Sequence, residues 1–436
     1  MKSIKKSFAR TPAGPMAALL LLITLLPAAL FAAELQGTSH TYLQSRETAN
    51  NSNLLPLYEY LDLSVRDMGS ESLSVHVGGW LGYDLRDDSF GYNKDRGSDL
   101  QYGYVSYRTK SRNAMVNVGR VMVFEGVAAE RVDGIYARTD VKGGFGIAAF
   151  GGAPVETGTD TPGNNVIYGG RVSHQYADLY AIGFSYLKEE KNSATFREEE
   201  GIDLWLRPVN KVELTGRSSY NANTSGWMEH AYYLLLGPFA NLRFNTEASW
   251  ISYGDYFAGA TTNVFRMTPG GPLNPNEKVT VLGEEVLFAL SDRWNLSADY
   301  KKYSYDIAGN ASYYGAKVTF VMPKSYRAGL SFHRMDGDAT SLQYDEYRIY
   351  GSAKIHKVDI AVDLLDVKYQ AAINGVSDAY SATLAAGYEL TERLAVGADV
   401  EYAKNPEYDK DVRLFMKLNY RFDEKPGKDA GKRKGV

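Results

Sequence analysis

Six histidines, 52 acidic side chains and no cysteine set the chemistry open to this 436-residue chain. Without a thiol it carries no disulfide, no thiolate metal site, no covalently attached haem and no acylated lipoprotein cysteine. The histidines lie scattered at His40, His76, His174, His230, His333 and His356. HExxH, GxSxG, CxxCH and glycine-rich phosphate loops are all missing, so the chain reads as a non-enzyme. His76 and His333 fall on the polar side of alternating segments, where a lone histidine is a solvated polar residue. Acidic pairs such as Asp87-Asp88 and Glu189-Glu190 read as solvated loop charge. The run with most functional promise is Gly119-Arg120-Val121-Met122-Val123-Phe124-Glu125-Gly126-Val127-Ala128-Ala129-Glu130-Arg131-Val132-Asp133-Gly134. It looks the least strand-like part of the N-terminal half. Its Arg120, Glu125, Glu130, Arg131 and Asp133 could line a constriction and set charge selectivity, as rings of charge do in pores. The blander reading is a hairpin whose charges pair or face water. Arg243 and Glu247, on the polar side of another segment, are further lumen-lining candidates.

Such charges need elements to hold them around a lumen, and the periodicity supplies these. Leu242, Phe244, Thr246, Ala248 and Trp250 alternate with Asn241, Arg243, Asn245, Glu247 and Ser249. Val358, Ile360, Val362 and Leu364 alternate with Lys357, Asp359 and Asp363, and Leu394, Val396, Ala398 and Val400 with Arg393, Asp399 and Glu401. Tyr326, Ala328, Leu330 and Phe332 do the same against Arg327, Gly329, Ser331 and His333. One face suits oil and the other water, at the period of a strand. The strands span about ten to twelve residues, the length that crosses a bilayer at a tilt. Several apolar faces end in aromatics (Trp294, Tyr300, Trp250, Tyr402), as interfacial girdles do. The 33 Tyr and 42 Gly suit such a sheet, and a mean hydropathy of −0.32 suits a wall in which every second residue meets water.

The expected fold is all-β: a transmembrane antiparallel up-and-down barrel of about 22 strands, range 18 to 22, with short periplasmic turns and longer outer loops. Short turns are expected near Met68–Ser72, Lys110–Asn113, Lys142–Gly144, Gln175–Asp178, Pro208–Lys211, Gly237–Ala240, Ser291–Trp294, Pro323–Ser325, Ile355–Lys357 and Thr391–Arg393. Outer loops are expected at Asp87–Ser98, Pro154–Asn165, Lys188–Glu199, Gly254–Glu277 and Tyr369–Asp378. Gln36–Arg46 must then be the first strand, so that both termini are periplasmic. The count falls if elements near Met115 or Asp133 pair differently.

Residues 1–33 read as a secretory signal. Lys2, Lys5, Lys6 and Arg10 precede an apolar run from Met16 to Leu30, and cleavage is expected after Ala32 or Ala33. Setting aside its four cations leaves 44 basic against 52 acidic residues, a net charge of −8, which argues against nucleic acid and permits a cation-preferring lumen. The barrel is expected over residues 34–422. Its last strand, Val412 to Phe422, alternates without a fault and resembles the closing strand of outer-membrane proteins. Tyr420 and Phe422 are the expected signal to the barrel-assembly machinery. A basic tail, residues 423–436, follows and is expected in the periplasm.

Barrels of this width need something in the lumen, since 22-strand transporters are plugged. No separate plug domain is legible, and only Gly254–Glu277 looks large enough to narrow the opening. Either the count is nearer 18 with loops folded inward, or another protein fills the barrel.

Leu55-Pro56-Leu57-Tyr58-Glu59-Tyr60, Gly78-Gly79-Trp80 and the Gly119–Gly134 run resemble the porin-like barrels of porin–cytochrome conduits in metal-reducing deltaproteobacteria. That resemblance implies an outer-membrane sheath around a periplasmic multihaem c-type cytochrome that meets an outer-surface one, carrying electrons across the membrane. The barrel itself would bind no cofactor, and haem would come only with the partner. The alternative is a passive diffusion porin for ions or small hydrophilic solutes, and a third class is a structural or biogenesis barrel without conduction.

Overall fold

The computed structural model describes residues 34–47, 53–68, 70–86, 96–155, 164–258, 274–323, 325–406 and 408–424. The expected signal region, the tail from residue 425 and the centres of three expected outer loops lie outside them.

The described residues form a closed ring of 22 antiparallel strands. The first eight are β1 (Glu34–Glu47), β2 (Pro56–Arg66), β3 (Leu73–Asp84), β4 (Arg96–Arg108), β5 (Ala114–Glu125), β6 (Ala128–Val141), β7 (Phe145–Pro154) and β8 (Asn165–Tyr176). Then come β9 (Tyr180–Lys191), β10 (Ala194–Val209), β11 (Val212–Asn221), β12 (Gly226–Phe239), β13 (Leu242–Ser252), β14 (Lys278–Ala289) and β15 (Trp294–Tyr305). The ring is completed by β16 (Gly309–Met322), β17 (Tyr326–Gly337), β18 (Tyr344–Ile355), β19 (Val358–Ile373), β20 (Val376–Glu389), β21 (Leu394–Asn405) and β22 (Tyr408–Glu424). Each strand pairs with its chain neighbours. Closure comes from β1, which pairs with β2 on one side and with β22 on the other, from Leu35–Glu424 to Ser45–Leu414. No open sheet edge remains to meet lipid.

Antiparallel partners share a face, so the alternation carries around the whole ring. Val412, Leu414, Met416, Leu418 and Tyr420 are exposed on the outside of β22, while Arg413, Lys417 and Asn419 point into the lumen. All ten expected short turns fall at one end, together with both described termini, and this end is periplasmic by the general rule for such barrels. Of the expected girdle residues, Trp294 begins its strand at the periplasmic end, whereas Tyr300 lies in mid-strand, where its hydroxyl meets Ser312.

Four expectations need correction. Lys188–Glu199 and Tyr369–Asp378 are not loops. The strands run through them and reverse at Asn192-Ser193 and Asn374-Gly375, where both residues of each pair have positive φ. Such pairs form the tight hairpin turn that matches strand twist, and charge around the first and small or polar residues around the second disguised the strands. Gly119–Gly134 is likewise regular hairpin, paired without interruption from Ala114–Thr139 to Glu125–Ala128, so the elements near Met115 and Asp133 count as strands and the total is 22. The closing strand continues two residues past Phe422, with Asp423 and Glu424 paired to Gln36 and Leu35.

Phe422 lies where a side chain on Gly37 would have to be: a Cβ there would sit 2.4 Å from its ring. The closing strand therefore seals against the first through an aromatic seated on a bare backbone. Phe422→Ser should sharply reduce the amount of barrel in outer-membrane fractions and leave the residue heat-labile on semi-native gels. Wild-type levels of this variant would remove Phe422 from assembly.

Candidate functional site: a hairpin docked in the lumen

The β5–β6 hairpin leaves the wall partway along its length. Pairing between β4 and β5 stops at Gly103–Arg120, beside Gly119, whose φ of +130° is accessible only to glycine without strain. On the other side, pairing between β6 and β7 stops at Val132–Pro154. Gly134 and Gly152 ease this departure, since a Cβ on either would lie within 2.5 Å of the opposite backbone. The freed tip curls inward. Val127 N–H donates to Ser185 Oγ at 3.1 Å, and a Cβ on Gly201 would sit 2.4 Å from Val127 Cγ1. Ser185 belongs to β9 and Gly201 to β10, beyond β7 and β8 in the ring, and both lie on the lumenal face opposite the exposed Phe184 and Ile202.

The inner face of the tip is apolar and packs on the inner wall. Val121, Val123, Ala128 and Val132 cluster with Phe150 of β7, Ile167 of β8 and Leu187 of β9. Burying so many aliphatic groups away from lumenal water holds the hairpin down. The other face turns to the open lumen, where Phe124 is 68% and Met122 43% exposed.

Ion pairs clamp the edges. Arg120 makes a bidentate pair with Asp133, at 2.7 and 2.8 Å, and donates to the Leu100 carbonyl at 3.0 Å. Arg131 binds Asp99 on β4. Glu125, only 4% exposed, accepts from Tyr136 Oη at 2.6 Å and Arg138 Nη1 at 3.2 Å, with Arg171 3.8 Å away. Arg171 in turn forks onto Asp203 of β10, at 2.9 and 2.6 Å. Glu130 binds Arg197 of β10, which lies among Glu130, Glu189 and Glu199, and Lys191 Nζ is 3.5 Å from the fully buried Glu189. The five expected constriction charges thus come together on one hairpin, each with an opposite partner. They anchor it, and what meets the lumen is a largely apolar edge. Arg243 and Glu247 face the lumen from β13, away from the hairpin, and Glu247 pairs with Lys301 at 2.6 Å.

The segment after β13 adds a second inward element. A four-residue helix, Tyr253–Tyr256, leans over β11 and β12, with Asn221 Nδ2 donating to the Asp255 carbonyl at 2.9 Å and Ser252 Oγ to the Asp255 carboxylate at 2.6 Å. Between this helix and the hairpin tip lies a cavity of about 450 Å³, bounded by Val127, Glu130, Arg217, Glu229 and Tyr256. Arg217 and Glu229 pair across it at 2.6 Å. Burial, with Glu229 nearby, raises the pKa of the Tyr256 hydroxyl, which stays neutral. The described ends of Gly254–Glu277 thus include an inward-leaning part, in the region expected to narrow the opening. Among the described residues no cluster of His, Cys, Asp and Glu is arranged to hold a metal ion.

Sequence reasoning missed the receiving side: Arg171, Arg197, Glu199 and Asp203. Its one signal is the run of small lumenal residues Gly183, Ser185 and Gly201, which leaves room for a tip and for the Arg171 side chain lying over Gly183.

No protein-family model matches the chain, and no curated protein matches it in sequence. Solved structures match it in shape. A mutant of the ferric enterobactin receptor PfeA from Pseudomonas aeruginosa is 10% identical, with 89% of this chain and 80% of the receptor covered and a TM-score of 0.57. The siderophore receptor PirA from Acinetobacter baumannii gives the same identity and coverage with a TM-score of 0.56. OccAB2 from Acinetobacter baumannii, also 10% identical, is covered over 98% of its length by 90% of this chain, with a TM-score of 0.47. At such identities the likeness is one of fold alone. The closed ring and its apolar outer belt define the chain as an integral outer-membrane protein with a porin-like β-barrel.

Proposed function

We propose that the chain is a passive diffusion channel for ions and small hydrophilic solutes, narrowed from within by its own β5–β6 hairpin. The observation that carries this reading is the docking of Val127 against Ser185 and Gly201 across the lumenal wall. A 22-strand ring is too wide to stand open in a living membrane. Here part of the wall itself turns inward and is held by buried aliphatic contacts and ion pairs, so the lumen is restricted without a separate plug among the described residues. The reading involves no catalysis and no cofactor held by this chain. Its partners are outer-membrane lipid and the barrel-assembly machinery, and nucleic acid has no part in it.

The second reading, a sheath for a multihaem c-type cytochrome, draws on the sequence resemblance and on the width of the ring. The docked hairpin takes up room that such a guest would need. One preparation separates the two. The full-length barrel, extracted gently from its native membrane, should show no c-type haem by visible spectrum or haem stain and should conduct ions in a planar bilayer. Stoichiometric haem would replace the channel with the sheath.

A further inference from the structure

The lumenal wall from β1 to β4, on the flank of the hairpin's root opposite to the one it docks on, carries a feature that a simple water-filled hole does not need. Tyr42 of β1, Tyr58 and Tyr60 of β2, and Trp80 of β3 share one face, which register places inside the barrel opposite the exposed Leu81, Tyr83 and Met416. Their rings touch in sequence. Tyr42 lies 5.5 Å from Tyr60, Tyr60 6.2 Å from Tyr58 and 6.4 Å from Trp80, and Tyr58 5.9 Å from Trp80. The run continues towards the periplasmic end on β4, where Tyr102 and Tyr104 lie 6.0 Å apart and His76 stacks on Tyr104 at 5.0 Å.

The levels are consecutive. Tyr42 pairs with Tyr58, Tyr60 with Trp80, Gly78 with Tyr102 and His76 with Tyr104, each step being two residues further down the wall. Three such steps span about 20 Å along the strands. Gly78 makes the strip flat at its centre, because a Cβ there would lie 2.4 Å from the Tyr102 ring. Polar groups run alongside. Asp62 is exposed and accepts the Tyr102 hydroxyl, and Asn419 meets His40 at 2.7 Å. On the far wall a second group of lumenal rings lies nearer the outer mouth, where Tyr303 stacks on Tyr305, Tyr344 meets Tyr369 and Tyr313 stacks on His333.

We propose that this strip is a binding track for neutral linear oligosaccharides, which the channel conducts ring by ring. The inference rests on the channel reading and names its solute class. Half-buried aromatic faces in an aqueous lumen leave apolar area against water, an arrangement that serves a solute with an apolar face of its own. The C–H face of a sugar ring meets the negative face of an aromatic ring, and its hydroxyls reach polar groups at the edge. A series of weak, similar sites along the axis lets a chain of rings enter and still leave, as conduction requires. A single small aromatic solute would occupy one level and leave the rest without purpose.

The test is current blockade of the full-length barrel in a planar bilayer, in potassium chloride, with maltohexaose and cellohexaose as probes. At least one should block reversibly and saturably. Trp80→Ala and Tyr60→Ala should each weaken that block about tenfold, the loss of one stacked ring, read against each variant's own open-channel current. Trp80→Phe keeps a ring and should lose much less, which separates stacking from misfolding. Conductance without blockade by either sugar, or equal blockade of Trp80→Ala, would overturn the track and leave the channel standing. So would equal blockade by a polyethylene glycol of the same mass, which has no ring to stack. Absence of any conductance would overturn the channel and the track together.

Discussion

Replacing residues 121–132 with a two-residue Asn-Gly turn is expected to raise single-channel conductance several-fold. The new turn would join Arg120 directly to Asp133, which already face each other in register, and Asn-Gly suits a tight reversal between twisted strands. Pairing of β4 with β5 up to Arg120 would survive, as would pairing of β6 with β7 from Asp133 onward, so the wall stays closed. What disappears is the part of the chain that lies inside the lumen, including the exposed Phe124 and Met122. The complementary experiment fixes the tip in place. The chain has no cysteine, so Val127→Cys with Ser185→Cys introduces the only pair able to form a disulfide. It should oxidise readily and leave conductance at the wild-type value. Unchanged conductance in the deletion would mean that the hairpin does not narrow the path.

Arg197→Ala should be the most damaging single substitution on the lumenal side. Arg197 lies among Glu130, Glu189 and Glu199, and Glu189 and Glu199 are buried. Removing the guanidinium leaves three carboxylates with Lys191, which is close to Glu189, as the nearest cation. Stranding a buried charge by deleting its partner costs about 3 kcal/mol or more. The barrel should therefore unfold at lower urea concentration. Because Glu130 sits on the hairpin, the tip should also loosen and conductance should become larger and noisier. Adding Glu130→Gln to Arg197→Ala removes one of the opposed charges and should recover part of the stability. A urea midpoint equal to wild type in Arg197→Ala would mean that lumenal water already solvates the cluster.

Much of the fold was legible because a barrel wall has only one local rule. Each strand separates oil from water at period two, and each turn interrupts it, so segments such as Leu242–Trp250 or Val412–Phe422 declare both their faces. The ten short turns were found for this reason. The failures share a cause. Lys188–Glu199 and Tyr369–Asp378 are strands that carry charge or polarity near the outer end, where neither face needs to be apolar, so polarity stopped marking loops there. The local turn chemistry of Asn374-Gly375 was the better guide, and it lay hidden in a segment judged by its polarity.

The site was legible only in part, for a different reason. The five charges of the Gly119–Gly134 run stood out, and they do share one hairpin. Their use depends on partners far away in sequence. Glu130 meets Arg197, 67 residues on, and Arg131 meets Asp99, 32 residues back. Alternation assigns a side chain to the lumen but says nothing about which other lumenal side chains it reaches. The aromatic strip shows the same limit. Tyr58, Tyr60 and Trp80 carried only a resemblance in the sequence, and register alone aligns them with Tyr42 and Tyr102 on one face.

The sequence alone therefore determined the all-β class, the strand faces, the periplasmic turns and the even strand number, because these follow from local periodicity and from the requirement that no backbone group face lipid unpaired. Tertiary structure decided that the Gly119–Gly134 hairpin lies inside the barrel. That choice rests on small residues at Ser185 and Gly201 making room, on Phe150, Ile167 and Leu187 offering apolar surface, and on Arg171 and Arg197 meeting buried acids. None of these is a neighbour of the hairpin in the chain, and the contact free energy that bends it inward exists only once β7 to β10 have assembled beside it.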